Sequence, residues 1–186
     1  MGRPFRVAGV PPSARLRTEG TPMPSGPARF HDLRWTKYDF LDVILVRCPR
    51  CDGVARVMPV SQDAERGRAS LFAERRVICR HCACSRETAG NGPSLHHGTG
   101  RAVDPYAGLP LWLWSETRHG PLWAHNLDHL QVIDRFVRAA LREHAPRHLE
   151  VRRMTVAGRL PTWVKLARNR TEVLRTIDRM RKSLVE

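Results

Sequence analysis

The feature that most constrains this chain is a pair of cysteine couples. Cys48-Pro49-Arg50-Cys51 is followed by a gap of 27 residues and then by Cys79-Arg80-His81-Cys82. Two intervening residues let the backbone fold into a tight knuckle that aims both sulfurs at one point. Two knuckles then supply four thiolates at the corners of a tetrahedron, which Zn²⁺ accepts without geometric strain. The spacing therefore predicts one structural Zn²⁺ held by Cys48, Cys51, Cys79 and Cys82. Four thiolates close the coordination shell and leave no place for water or substrate, so the ion is expected to replace a core rather than to do chemistry. A redox dithiol needs one couple at a helix start, whereas both couples here lie beside extended apolar runs. Cys84 reads as a free thiol on the strand leaving the second knuckle, and His81 as a spacer within it.

Around the knuckles the pattern is that of strands. Residues 40–46, 55–60, 75–78 and 84–88 are short, rich in β-branched or apolar residues, or bounded by turn signals. Asp52-Gly53 supplies the turn after Cys51, and the polar stretch 61–70 reads as an inserted loop. Cys-Pro-x-Cys-x-Gly followed by Cys-x-x-Cys resembles the zinc ribbon of transcription factor IIB type, over about residues 43–88. Three later segments resemble uncharacterised bacterial proteins that carry such a ribbon. They are Asp104-Pro105 to Trp114, Leu122-Trp123-Ala124-His125-Asn126 and Leu160-Pro161-Thr162-Trp163-Val164-Lys165. The resemblance implies a zinc site and no substrate.

The rest of the chain divides by composition. Residues 1–38 read as a disordered basic tail, with six prolines and four glycines in the first 30 and no periodicity; Trp35 and Tyr38 lead from it into the fold. Residues 39–100 form the ribbon with its inserted loop, ending in a Gly-rich linker over 89–103. Residues 101–145 hold a Trp-rich hairpin and a core helix. Residues 111–115 and 122–124 are its strands, with Trp112 and Trp114 on one face. Asn126 caps a helix running to about 144, with Leu130, Ile133, Val137, Ala140 and Leu141 on its apolar side and Arg135, Arg138 and Arg142 opposite. Residues 146–186 form a basic helical segment. It holds a short helix opened by Pro161, a capping box Asn169-x-x-Glu172, and a final helix to about 184 with Val173, Ile177, Met180 and Leu184 inward. The expected fold class is α+β: a small antiparallel zinc ribbon and a Trp-rich hairpin, with two or three C-terminal helices.

Charge points to a partner class. The chain carries a net charge of +14, and residues 145–186 hold 11 basic against 4 acidic residues, half of that excess. An acidic partner, most often nucleic acid, is the expectation. The residues expected to meet phosphate are Arg168, Arg170, Arg175, Arg179 and Lys182, helped by Arg152 and Arg153. The competing reading is a module that docks on a larger machine such as a polymerase, with exposed aromatics as contacts and zinc purely structural. No phosphate loop, serine nucleophile or paired-carboxylate motif is present, so no enzyme activity and no small-molecule substrate are expected. His125 and His129 are four apart beside a helix start, and are read as capping or packing residues rather than ligands, as is the loop pair His96-His97. No apolar run approaches the length that spans a bilayer, and the expectation is a cytoplasmic protein with no membrane partner.

Overall fold

A strand buried on both faces cannot alternate polar and apolar residues, and Ile44-Leu45-Val46 does not. These residues form most of β2 (Ile44–Arg47), and all three are buried. Ile44 and Val46 face one core and Leu45 faces another, so β2 is the wall between two packed regions. The computed structural model describes residues 29–60, 70–88, 92–94, 102–143 and 155–184.

The first region is a four-stranded antiparallel sheet in the order β2-β3-β4-β5, with β3 at Val54–Pro59, β4 at Arg75–Cys79 and β5 at Ser85–Thr88. Its register builds apolar rows across one face. Ile44 lies opposite Val57 and Val57 opposite Val77; Val46 lies opposite Ala55 and Ala55 opposite Cys79. All six are at most 1% exposed, and the segment carrying Tyr106, Leu109 and Leu111 packs over them. That segment is shaped by Asp104, whose carboxylate accepts the amides of Tyr106, Ala107 and Leu109 at 3.0, 2.8 and 2.7 Å. A short side chain that satisfies three amides replaces the ladder bonds a strand would have made.

The second region gathers a hairpin and the helices. Strands β6 (Trp114–Thr117) and β7 (Gly120–Trp123) pair antiparallel with Trp114 opposite Trp123. Helix α1 (Leu127–Arg138) packs against α4 (Arg170–Lys182), with the short helices α2 (Val156–Arg159) and α3 (Thr162–Lys165) beside them. The helical period puts Leu130, Ile133 and Val137 of α1 and Val173, Ile177 and Met180 of α4 into one core, all at most 3% exposed. Burying such side chains is worth about 1.5–3 kcal/mol each.

The free edge of β2 joins the regions. Leu45 donates its amide to His125 O and accepts from Trp112 N, while Arg47 N donates to Pro110 O, at 2.8, 2.9 and 2.8 Å. Asn126 adds a second tie. Its Oδ1 accepts the His129 amide as an N-cap, and its Nδ2 donates to Phe40 O and Val43 O.

Several expectations are corrected. The tail does not extend to residue 38: Arg29–His31 forms β1, parallel to β8 (Leu141–Glu143), and Phe30 meets Phe136 edge-on at 5.3 Å. Composition averaged over a proline-rich stretch hides the aromatic residues that anchor its end, Phe30 and Trp35. The strand read over residues 40–46 begins only at Ile44; Phe40 ends a 3₁₀ turn over Lys37–Phe40, with Asp39 Oδ2 accepting from Thr36 N and Oγ1. Helix α1 stops at Arg138, so Ala140 and Leu141 leave its apolar face. Pairing with β1 takes the chain out of the helix, and Arg170 donates to the carbonyl of Ala139 at 3.1 Å. Trp112 and Trp114 do not share a strand face, because Trp114 N donates to Trp112 O across a tight turn. Asn169 is no capping-box residue. It lies in the helical region, at the end of a 3₁₀ turn over Ala167–Asn169, and spends its amide on Trp163 O. The short helix after Leu160 does form, with Pro161 just outside its first position.

Candidate metal centre

Each cysteine couple is made by a strand end running into a tight turn, and the two turns repeat one geometry. Cys48 N donates to Gly53 O at 2.8 Å, and Cys79 N donates to Cys84 O at 2.9 Å, the same five-residue span. The residue after each second cysteine takes a left-handed conformation, Asp52 at φ 57° and Ala83 at φ 54°. The left-handed residue of the first turn is thus Asp52 rather than Gly53, where a Cβ would meet Cys51 Sγ at an ordinary contact distance of 3.4 Å. Arg47 extends over this turn to pair with Asp52 at 2.7 Å.

The two turns bring Cys48, Cys51, Cys79 and Cys82 together, their sulfurs all within 4.8 Å of one another. Two approaches join the turns: Cys48 to Cys82 and Cys51 to Cys79, both at 3.6 Å. Ligands at about 2.3 Å from a tetrahedral centre stand about 3.8 Å apart, so the sulfurs fit a single metal ion. Cys48 and Cys79 are buried in the sheet core, whereas Cys51 and Cys82 are half-buried.

The thiols cannot all ionise on their own. Burial raises Cys48, but the amides of Arg50 and Cys51 and hydrogen bonds with Cys82 and Cys51 outweigh it and bring it down to about 6. The Gly53 amide favours the Cys51 thiolate, yet burial and the crowding of Cys82, Cys79 and Cys48 push Cys51 up to about 12. One sulfur ionises easily and another resists, which is how like charges share a small space. A cation at the centre removes that conflict by replacing the protons. Arg50 N, 3.4 Å from Cys48 Sγ, is the kind of amide that steadies a ligating sulfur.

Cys84 is outside this group. Burial raises its thiol, as do the nearby Cys48 and Cys82. His81 is exposed and contributes no ligand atom. His125 and His129 are buried in the second region, where His129 stacks on Phe40 at 4.8 Å and accepts the His125 amide. They form no metal cluster with other ligand types among the described residues. His96 and His97, like Arg152 and Arg153, lie outside the described residues.

The remaining basic residues divide. Arg168, Arg175, Arg179 and Lys182 lie along α4 and the turn before it, and all four are exposed. Arg170 is half-buried on Ala139 O, so its role is to hold α1 against α4. The tryptophans are not free platforms. Trp112 packs against the helical core, carries Arg47 over its ring at 5.1 Å and donates to Ser183, while Trp123 packs against the sheet core.

Sequence reasoning missed a fully buried cation. Arg75 spends its guanidinium on Leu41 O, Asp42 O, Ser70 O and the Tyr106 hydroxyl, 4.2 Å above the Tyr106 ring. It ties the sheet to its covering segment, and nothing in a strand full of arginines marks it out. No protein-family model, curated protein or solved structure matches this chain. Among the described residues, no helix is long and apolar enough to cross a membrane.

Proposed function

We propose that this is a non-catalytic nucleic-acid-binding protein. One structural Zn²⁺, held by Cys48, Cys51, Cys79 and Cys82 in a zinc-ribbon arrangement, shapes its sheet, and its basic helix α4 meets phosphate. Four thiolates suit Zn²⁺ among the common metal ions, and a closed shell leaves it no catalytic position.

The observation that carries the reading is the unneutralised stripe on α4. Arg175, Arg179 and Lys182 lie within about 60° of one another on the helix, away from the buried Val173, Ile177 and Met180. The acidic residues flanking the stripe are already engaged. Glu172 pairs with Arg118 at 2.9 Å, and Asp178 stands 4.0 Å from Arg138. Arg179 bonds the Thr176 hydroxyl, and no carboxylate pairs with Arg175 or Lys182 among the described residues. Phosphate contacts of this kind carry affinity without reading bases, so sequence preference is expected to be weak.

The test is to replace Arg175, Arg179 and Lys182 together by Gln and titrate labelled single- and double-stranded oligonucleotides across a salt series. Fold and metal content should be unchanged. Affinity should fall, and the salt slope should flatten by about one unit for each phosphate no longer neutralised. Equal binding by the variant at low salt would reduce the stripe to solvated surface. The docking-module reading would then lead.

A further inference from the structure

A cleft of about 320 Å³ opens in the second region, between β7, α1 and the α2 segment. Its walls are apolar, with Leu122 and Trp123 from β7, Ile133 from α1, and Val156 and Leu160 across from them. Three polar side chains also line it, and all three can donate hydrogen bonds.

Lys37 and Arg159 are two of them, and they carry like charge. No carboxylate pairs with either among the described residues; the one ring contact of Lys37 is with Tyr38, at 5.4 Å. Burial, and then the charge of Arg159, hold the Lys37 ammonium below its ordinary range. Two cations converging on an apolar surface without a counter-charge are a cost to the fold that a bound anion relieves.

His129 is the third. It is 5% exposed, and its Nδ1 accepts the His125 amide at 3.3 Å. A neutral imidazole whose Nδ1 accepts carries its proton on Nε2. Burial pulls the pKa to about 4, so the ring is neutral at pH 7. Among the described residues its Nε2–H meets no acceptor. The cleft thus offers a neutral imidazole in its lining, a tryptophan wall and two cations, and its volume is within the range of small-ligand sites.

We propose that this cleft binds a small amphiphilic anion, with a flat apolar body against Trp123 and Ile133 and a carboxylate, sulfonate or phosphate held by Lys37 and Arg159. The site is separate from the α4 stripe, none of whose residues line it.

Two fluorescent probes with nearly the same aromatic body test the idea. Anilinonaphthalene sulfonate carries the anionic group, and N-phenylnaphthylamine lacks it. The sulfonate should bind saturably at one site per folded chain. Lys37→Met, which keeps the apolar stem, and Arg159→Ala should each weaken it about tenfold, the size of one charge-assisted hydrogen bond. The pair Lys37→Glu with Arg159→Glu should abolish saturable binding. The neutral probe should change by less than about twofold in all of these variants. The α4 triple Gln variant should bind the sulfonate as the parent does, so that failure here and failure of the nucleic-acid reading are told apart. Thermal unfolding and metal content confirm that each variant is folded. The proposal falls if the sulfonate shows no saturable site, if its binding survives the double Glu change, or if it is lost in the α4 variant.

Discussion

The two sides of β2 solve the same problem by different means. On the helical side, Leu130, Ile133, Val137, Val173, Ile177 and Met180 bury enough apolar surface to hold α1 against α4. On the sheet side the apolar rows are short, and two of the buried positions are Cys48 and Cys79. A sheet this small, with strands of four to six residues, has too little to bury. Its ends are gathered by the four sulfurs instead. The difference teaches where each region is vulnerable: one to loss of volume, the other to loss of charge balance at a single point.

Removal of the metal should produce the largest effect and should break the comparison most directly. Chelation, or Cys79→Ser, should open residues 44–88 to proteolysis and rapid hydrogen exchange. Amides of Val173, Ile177 and Met180 should stay protected longer, because their core holds no ligand. Cys84→Ser is the control, and metal analysis should find its content unchanged. Simultaneous loss of protection on both sides would mean that β2 couples the two regions into one unit. The metal should also be released as pH falls. Cys51, pushed up to about 12, keeps its proton at pH 7 without a cation, so binding displaces protons and weakens about tenfold per pH unit for each one displaced.

A smaller effect is expected from Ile177→Ala. It leaves a cavity in the helical core at a cost of about 2–5 kcal/mol, and denaturant unfolding followed with metal content should show that loss without metal release. Metal release at the same denaturant concentration as helix loss, in both parent and variant, would again argue for one cooperative unit.

The smallest of the three sharpens the boundary itself. The folded-state pKa of His129 is about 4, below the ordinary 6.5. A depressed imidazole binds fewer protons in the folded than in the unfolded chain. Stability is therefore fully present above about pH 6.5 and is lost as pH falls toward 4, by up to about 3 kcal/mol. His129→Phe should abolish this part of the pH dependence in chemical denaturation between pH 7 and 4. A profile unchanged by that substitution would show that another group titrates.

Much of the cysteine cluster is legible in the spacing, because a Cys-x-x-Cys turn is closed by bonds within five residues. The same is true of the inward stripe of α4 and the Asn126 cap, whose partners lie one helical turn away. Readings failed where the deciding partner is remote in sequence. The end of α1 depends on β1, more than a hundred residues earlier, and on Arg170, 31 residues beyond Ala139. Asn169 looked like a cap because its competing acceptor, Trp163 O, is invisible to a four-residue motif.

By itself the sequence determined which four cysteines can meet, the apolar run of β2 and the basic excess in residues 145–186, since these follow from local spacing and composition. Only the tertiary structure decided that Arg75 is buried, that Arg170 is structural, and that Lys37, Arg159 and His129 share a cleft. Those outcomes depend on which distant groups end up beside a side chain, because that is what determines whether a charge is paired, desolvated or left facing an open site.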